Sequence, residues 1–232
     1  MKVLEVNQLD VQVKTTKLLE QITFSIDAGS VVALLGHNGA GKSTLMKTIM
    51  GIQEKSAGDI VVQEAYNQDI DFLNYKKQIA FIPEEPMLMS ELTAMQHFQL
   101  YGKSYQLEEK ELMARVERYV KGFELQDKLN EYPESLSKGM RQKVQIICAM
   151  LPDVPLLLID EPFMGLDIYA VDFFEAMIEE KMKNGASILL TTHQLDRVKN
   201  LANQFIMLQE GKLLHKGQAQ EFETITRRSG KR

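Results

Sequence analysis

The run Gly36-His37-Asn38-Gly39-Ala40-Gly41-Lys42-Ser43-Thr44 carries the strongest chemical signal in this chain of 232 residues. It fits G-x-x-x-x-G-K-[ST], the phosphate-cradling loop of nucleotide triphosphatases. Glycines at Gly36, Gly39 and Gly41 allow a positive φ and let backbone N–H groups approach phosphate oxygens. Lys42 supplies a point charge for the β- and γ-phosphates, and the hydroxyl of Ser43 suits Mg²⁺. From average residue frequencies the pattern arises by chance in about one such chain in a hundred, so its flanks decide.

A second group of reactive side chains closes the run Leu156-Leu157-Leu158-Ile159-Asp160-Glu161-Pro162. Four apolar residues followed by two carboxylates describe a strand buried on both faces, with its acids at the carboxyl end. Asp160 suits the shell of Mg²⁺, which wants hard oxygens and keeps several waters. Glu161 suits polarisation of a water for attack on a γ-phosphate. Taken alone, the pair fits equally an acidic strand end that caps a turn at Pro162. Beside the phosphate loop, the catalytic reading prevails.

These groups need elements to hold them. Ser30 to Leu35 is apolar and β-branched after the turn signal Asp27-Ala28-Gly29, which predicts a buried parallel strand. Ser43 to Met50 has Leu45, Met46, Ile49 and Met50 at helical spacing, with Gly51 as C-cap. Strand, loop and helix together put phosphates at a helix N-terminus, where unpaired N–H groups and the helix dipole favour anions. Lys2 to Val6 and Ile22 to Ile26 alternate as strands do. From about Met87 to Leu151 the pattern is helical, and Ser187 to Thr192 and Phe205 to Leu208 return to strands, with a hairpin at Gly211. A helical insert thus interrupts one α/β core.

Composition narrows the class. The chain is 44% hydrophobic and 25% charged, ordinary for a globular protein, and 232 residues suffice for one well-cored domain. A net charge of −5 argues against a general nucleic-acid binder. One cysteine, Cys148, excludes an internal disulfide framework and points to a reducing compartment; its apolar run Val144 to Leu151 predicts a buried core residue. Met1 to Asn7 lacks an apolar signal core, and the longest apolar stretches fall far short of a bilayer span. The expectation is a cytoplasmic protein, free to sit against a membrane protein.

Leu136-Ser137-Lys138-Gly139-Met140-Arg141-Gln142 lies ahead of the acidic strand, with Ser137 a natural N-cap. Here the sequence resembles the ATP-binding subunits of ABC transporters, whose signature is Leu-Ser-Gly-Gly-Gln. Ser137 and Gly139 match, whereas Lys138 and Met140 depart from it, as in exporter-type and particularly Ecs-type subunits. The resemblance spans essentially the whole chain. Phe81-Ile82-Pro83-Glu84 is similar to the Q-loop region, with Glu84 in place of the usual glutamine and still able to offer an oxygen to Mg²⁺ or water. Gly165-Leu166-Asp167 resembles the D-loop. Thr191-Thr192-His193 resembles the switch strand, whose histidine contacts the γ-phosphate. The remaining histidines, His37, His97 and His215, read as surface or packing residues. Where the family stacks an aromatic ring on adenine, alignment puts Val13, which would weaken base stacking.

The resemblance implies an α/β fold: a P-loop NTPase core with a mostly parallel sheet, an N-terminal antiparallel β subdomain and a helical subdomain insert. The core and β subdomain would take about residues 1–84 and 152–232, and the insert about 85–151. It implies ATP and Mg²⁺ as cofactors. It also implies a head-to-tail homodimer with two ATP molecules between subunits, each on one subunit's phosphate loop and facing Ser137 and Gly139 of the other. The partner would be an integral membrane permease at the inner face of the cell membrane, and the motif variants favour export. Met87, Leu88, Met89, Leu92 and Met95 read either as core or as a docking groove for that permease. The basic tail Arg227 to Arg232 reads as a solvated end. A soluble ABC-type ATPase not coupled to transport is the alternative. A nucleotide-binding regulator that does not hydrolyse is a third reading, opposed by Glu161 and His193.

Overall fold

The computed structural model describes residues 1–192 and 201–221. Two sheets organise the chain. The first is antiparallel, in the order β2-β1-β4-β5, built from β1 (Lys2–Val13), β2 (Thr16–Asp27), β4 (Ala57–Val62) and β5 (Tyr66–Asn67). Its alternation follows the sequence: Ile22, Phe24 and Ile26 are buried while Thr23 and Ser25 are exposed. One solvated face is what an antiparallel sheet tolerates.

The second sheet has the order β10-β9-β3-β8-β7-β6. It contains β3 (Val31–Leu35), β6 (Ile79–Ile82), β7 (Leu156–Asp160), β8 (Ser187–Thr191), β9 (Gln204–Gln209) and β10 (Lys212–Gln218). Every pairing is parallel except β9 with β10, which close a hairpin at Glu210-Gly211. Strands β3, β6, β7 and β8 are buried at every position, so both faces of this sheet are covered.

What covers each face follows from the two-residue side-chain period. Val31, Ala33, Leu35, Leu157, Ile159, Ile188 and Leu190 join a core shared with α3 (Ala94–Ser104), α4 (Glu109–Gly122), α5 (Lys138–Met150) and α6 (Ile168–Lys183). Val32, Leu34, Leu156, Leu158 and Leu189 point the other way, into a core shared with α1 (Lys42–Ile49) and the antiparallel sheet. Full burial of each such side chain contributes about 1.5–3 kcal/mol. Leu158→Asp would place an unpaired charge in the second core.

Three of the four helices in the first core start on side-chain caps. Thr93 forms a capping box with Gln96, Ser137 accepts from the Met140 N–H, and Asp167 accepts from the Ala170 N–H. Helix α1 is anchored at its far end instead. Its last carbonyls accept from Gln68 Nε2 (2.8 Å, to Thr48 O) and the hydroxyl of Tyr75 on α2 (Phe72–Lys76) (2.6 Å, to Ile49 O). Burial pushes the Tyr75 hydroxyl above its ordinary range, so it remains a donor. This fixes the axis of the helix that carries Lys42 and Ser43. Among the described residues no helix is long and apolar enough to cross a membrane.

Candidate functional site

Because β3, β8 and β7 are parallel neighbours, their carboxyl ends emerge side by side. The phosphate loop leaves β3, the two acids leave β7, and Thr191 ends β8. Between them lies a cavity of 620 Å³ lined by Asn38, Gly39, Gly41, Lys42, Ser43, Thr44, Glu84, Asp160 and Glu161, with Leu18 and Met164. Segments distant in sequence therefore meet as their motifs predict.

The loop is held by its own backbone. The Ala40 N–H donates to His37 O (3.1 Å), and the Gly211 N–H of the β9–β10 turn donates to Ala40 O (3.1 Å). Gly41 sits at the N-cap of α1 with φ +104, a region open to glycine. Helix α1 has neither a side-chain cap nor an acid in its first turn. Its leading N–H groups therefore face the cavity side of the loop with a dipole suited to an anion. Lys42, only 9% exposed, donates from Nζ to Gly36 O at 2.8 Å and His37 O at 3.4 Å. Its charge is thereby carried across the loop. A polyphosphate fits this donor set.

The nine loop residues divide into two roles. Gly36, Ala40 and the exposed His37 do not line the cavity. Ala40 is buried in the second core, and a Cβ on Gly36 would lie 2.5 Å from Leu208 O of β9. Gly36 is thus a packing glycine, whereas Gly39, where a Cβ would meet nothing within 4 Å, faces open space.

The acids are fixed by β8. Asp160 is 3% exposed and its Oδ1 accepts from the Thr191 hydroxyl at 2.6 Å. The Glu161 N–H donates to the same hydroxyl oxygen at 3.0 Å, and the Glu161 backbone is left-handed with φ +46. Among the described residues no cluster of three or more His, Cys, Asp or Glu could hold a metal by itself. The hard oxygens of Ser43, Asp160 and Glu84 around one cavity suit Mg²⁺, which binds through one or two carboxylates together with phosphate and water.

Other expected site residues lie elsewhere. Val13 is 41% exposed, pairs with Thr16 at the β1–β2 turn and is absent from the cavity wall; Leu18 stands there instead. Lys14, left-handed with φ 54, follows Val13 in the β1–β2 turn, and Leu18 lies beyond it on β2. Ser137 is exposed and, like Gly139, does not line this cavity. Gly139 packs so closely on the D-loop-like segment that an added Cβ would collide with Gly165 O. Gln142 Nε2 reaches Pro162 O at 3.5 Å, and Lys143 pairs with Asp167 at 2.8 Å, holding that carboxyl below its ordinary range. Lys138 faces neither the cavity nor open solvent alone but pairs with Glu85 at 2.7 Å. His193 and the basic tail lie outside the described residues.

Of the remaining histidines, His37 and His215 are exposed. His97 is 2% exposed, with Nε2 accepting from the Met89 N–H at 2.9 Å. Cys148 is fully buried, and burial pushes its thiol well above the usual range. Residues that sequence reasoning missed are Leu18, Met164 and Thr191. Only Thr191 carried a signal, as a hydroxyl ending a buried apolar strand.

A parallel sheet with a glycine loop leading into a helix, beside two acids on a neighbouring strand, is the arrangement of a P-loop nucleotide triphosphatase. Residues 19–164 match the ABC transporter family model. The chain belongs to the ABC transporter family, as an ATP-binding subunit that hydrolyses ATP. It is 35% identical over 222 residues to the ABC-type transporter ATP-binding protein EcsA of Bacillus subtilis (strain 168), covering 95% of this chain and 89% of that one. It is 33% identical over 223 residues to the SkfA peptide export ATP-binding protein SkfE of the same organism, covering 96% and 92%. A solved ATP-binding subunit of an ABC transporter superposes with a TM-score of 0.90 at 39% identity, covering 98% of this chain and 93% of the other.

Proposed function

We propose that this subunit pairs head-to-tail with a second copy around two ATP molecules and drives a membrane permease, in the direction of export. The observation that carries the reading is the split between the motifs. The loop, Glu84, Asp160 and Glu161 line one cavity, while Ser137 and Gly139 lie outside it at the start of α5. A nucleotide on the loop is therefore contacted by half of the expected motifs, and a second copy supplies the rest. Homodimerisation is the simplest assembly because both halves are present in one chain.

In this reading Asn38, Gly39, Gly41 and Thr44 bind phosphate oxygens through the loop and the start of α1, and Lys42 neutralises their charge. Leu18, on the cavity wall, takes an apolar contact with the base. Ser43, Asp160 and Glu84 would hold Mg²⁺, which supplies charge neutralisation across the phosphate oxygens when bound. Glu161 orients and deprotonates the attacking water, and His193 contacts the γ-phosphate. Positioning and fixed charge do most of the work in such transfers.

The helical segment at about 85–151 would face the permease, with 1–84 and 152–232 forming the nucleotide-binding core. Met87 and Met89, 63% and 55% exposed, offer adaptable apolar side chains for such a contact. Export is supported by the Lys138 and Met140 variants and by the peptide-export relative.

Glu161→Gln tests the chemistry. ATP turnover should fall by about 10²–10⁴-fold with nucleotide affinity retained, in line with loss of a general base; an unchanged rate removes Glu161 from the mechanism. Ser137→Arg with Gly139→Asp tests the composite site, which fails if the purified variant keeps its full rate. Co-purification from membranes with an integral membrane protein supports the permease, and purification without one favours an ATPase not coupled to transport.

A further inference from the structure

We infer that the Thr191 hydroxyl is the positioning group for both acids, holding Asp160 and Glu161 in register through one oxygen atom. The inference rests on the roles given above to Asp160 and Glu161.

Thr191 ends β8 opposite Asp160 in the parallel pairing with β7 and is completely buried. Its neighbours on the strand, Ile188, Leu189 and Leu190, are apolar and fully buried, so a hydroxyl here must find its partners locally. It finds two. A threonine hydroxyl has one proton to give and lone pairs to accept with. The lone pair receives the Glu161 N–H at 3.0 Å, and the proton is committed to Asp160 Oδ1 at 2.6 Å. The direction of each bond is forced, because an N–H can only donate and only the carboxylate is left to accept.

Two consequences follow. Asp160 is fixed by a charge-assisted bond that leaves its second oxygen for the cavity it lines. Glu161 is fixed through its backbone. Its φ of +46 is costly for a residue with a side chain, and such a conformation persists only where surroundings over-determine it. The Thr191 hydroxyl, together with Thr191 O at 3.3 Å, engages the Glu161 N–H and supplies that determination. The left-handed turn in turn sets where the Glu161 side chain enters the cavity. Thr191 itself does not line the cavity, so it acts through the acids and not on the substrate.

The hydroxyl and the shape of the side chain can be separated. Thr191→Val keeps the shape and removes the hydroxyl, whereas Thr191→Ser keeps the hydroxyl and removes the methyl. Thr191→Ala with Thr191→Ser forms a second pair differing only in the hydroxyl, which decides the matter should the valine variant not fold. The expected result is a kcat for Val and Ala lower by about tenfold to a hundredfold, the range for losing a hydrogen bond to a charged group. Serine should restore most of the rate. Nucleotide affinity in EDTA should be the same in all variants, because the phosphate loop is untouched.

A readout independent of turnover is the affinity for Mn²⁺, standing in for Mg²⁺, measured by electron paramagnetic resonance on the ADP-bound protein. It should weaken several-fold in Val and Ala and recover in Ser. A rate that follows the methyl group instead, good in Val and poor in Ser, overturns the inference in favour of packing. Full turnover in Val and Ala overturns it outright, and an unchanged Mn²⁺ affinity overturns the Asp160 half. Glu161→Gln run alongside distinguishes the failures. If that variant is inactive while Thr191→Val is active, only this inference falls; if it is active, the reading of Glu161 falls.

Discussion

Gly36→Ala should damage the protein by unfolding it, not by weakening its grip on nucleotide. Gly36 has φ +152, where only glycine is at ease, and its missing Cβ would lie 2.5 Å from Leu208 O and 2.9 Å from the Ala40 Cβ. The first neighbour is backbone of β9, held in the sheet by β3 and β10, and cannot swing aside. Backbone strain of this type costs about 1–3 kcal/mol, and overpacking a further 1–3 kcal/mol or so. In a chain of this size each kcal/mol moves Tm by roughly 2–4 °C, giving a fall on the order of 5–20 °C. Gly39→Ala is the control, since its Cβ meets nothing within 4 Å and φ +82 carries only the left-handed cost of about 1–2 kcal/mol. Calorimetry without nucleotide should therefore rank Gly36→Ala well below Gly39→Ala, while titration with a fluorescent ATP analogue should show the larger loss of affinity in Gly39→Ala. An equal or reversed ranking of Tm would refute the division of the loop into packing and ligand-facing glycines.

Three further outcomes are open to measurement. Leu18→Ala should raise the Michaelis constant for ATP several-fold while Val13→Ala leaves it unchanged, because only Leu18 lines the cavity. For Asp153, burial alone would raise the carboxyl, but hydrogen bonds from Arg115 and Lys181 outweigh it and hold it below the usual range. A depressed native value means that the unfolded chain binds the extra proton. The stability it contributes is present above about pH 4 and is lost as pH falls through the native value, so Asp153→Asn should flatten the fall in urea midpoint between neutral and acid pH. Cys148, buried with its thiol pushed up, should resist maleimide in the folded protein and label fully only after denaturation.

Much of the architecture was legible from residue type and spacing. The run Val31 to Leu35 had to be a strand covered on both sides because it offers no polar face, and β7 reads the same way up to its acids. Ser137 announced a helix start because its oxygen is within local reach of the Met140 N–H. The phosphate loop, the acid pair and the signature-like segment each lie within a few residues, where chain geometry alone relates the side chains. That Leu18 lines the cavity was not legible, because turn geometry decides which residue of the β1–β2 hairpin reaches it. The pairing of Lys138 was not legible because its partner, Glu85, belongs to another segment.

By itself, then, the sequence determined the kind of chemistry: a polyphosphate cradle, hard oxygens and a base, on strands and helices whose periods are local properties. Tertiary structure decided how those groups are held. Gly36 is a packing residue only because β9 lies against it, and Asp160 and Glu161 share one hydroxyl only because β8 lies beside β7. Such contacts join residues 30 positions apart or more, the nearest in sequence being Glu161 and Thr191, and no local spacing encodes them. They depend on which strands become neighbours, and that is settled by burying both faces of the sheet at once.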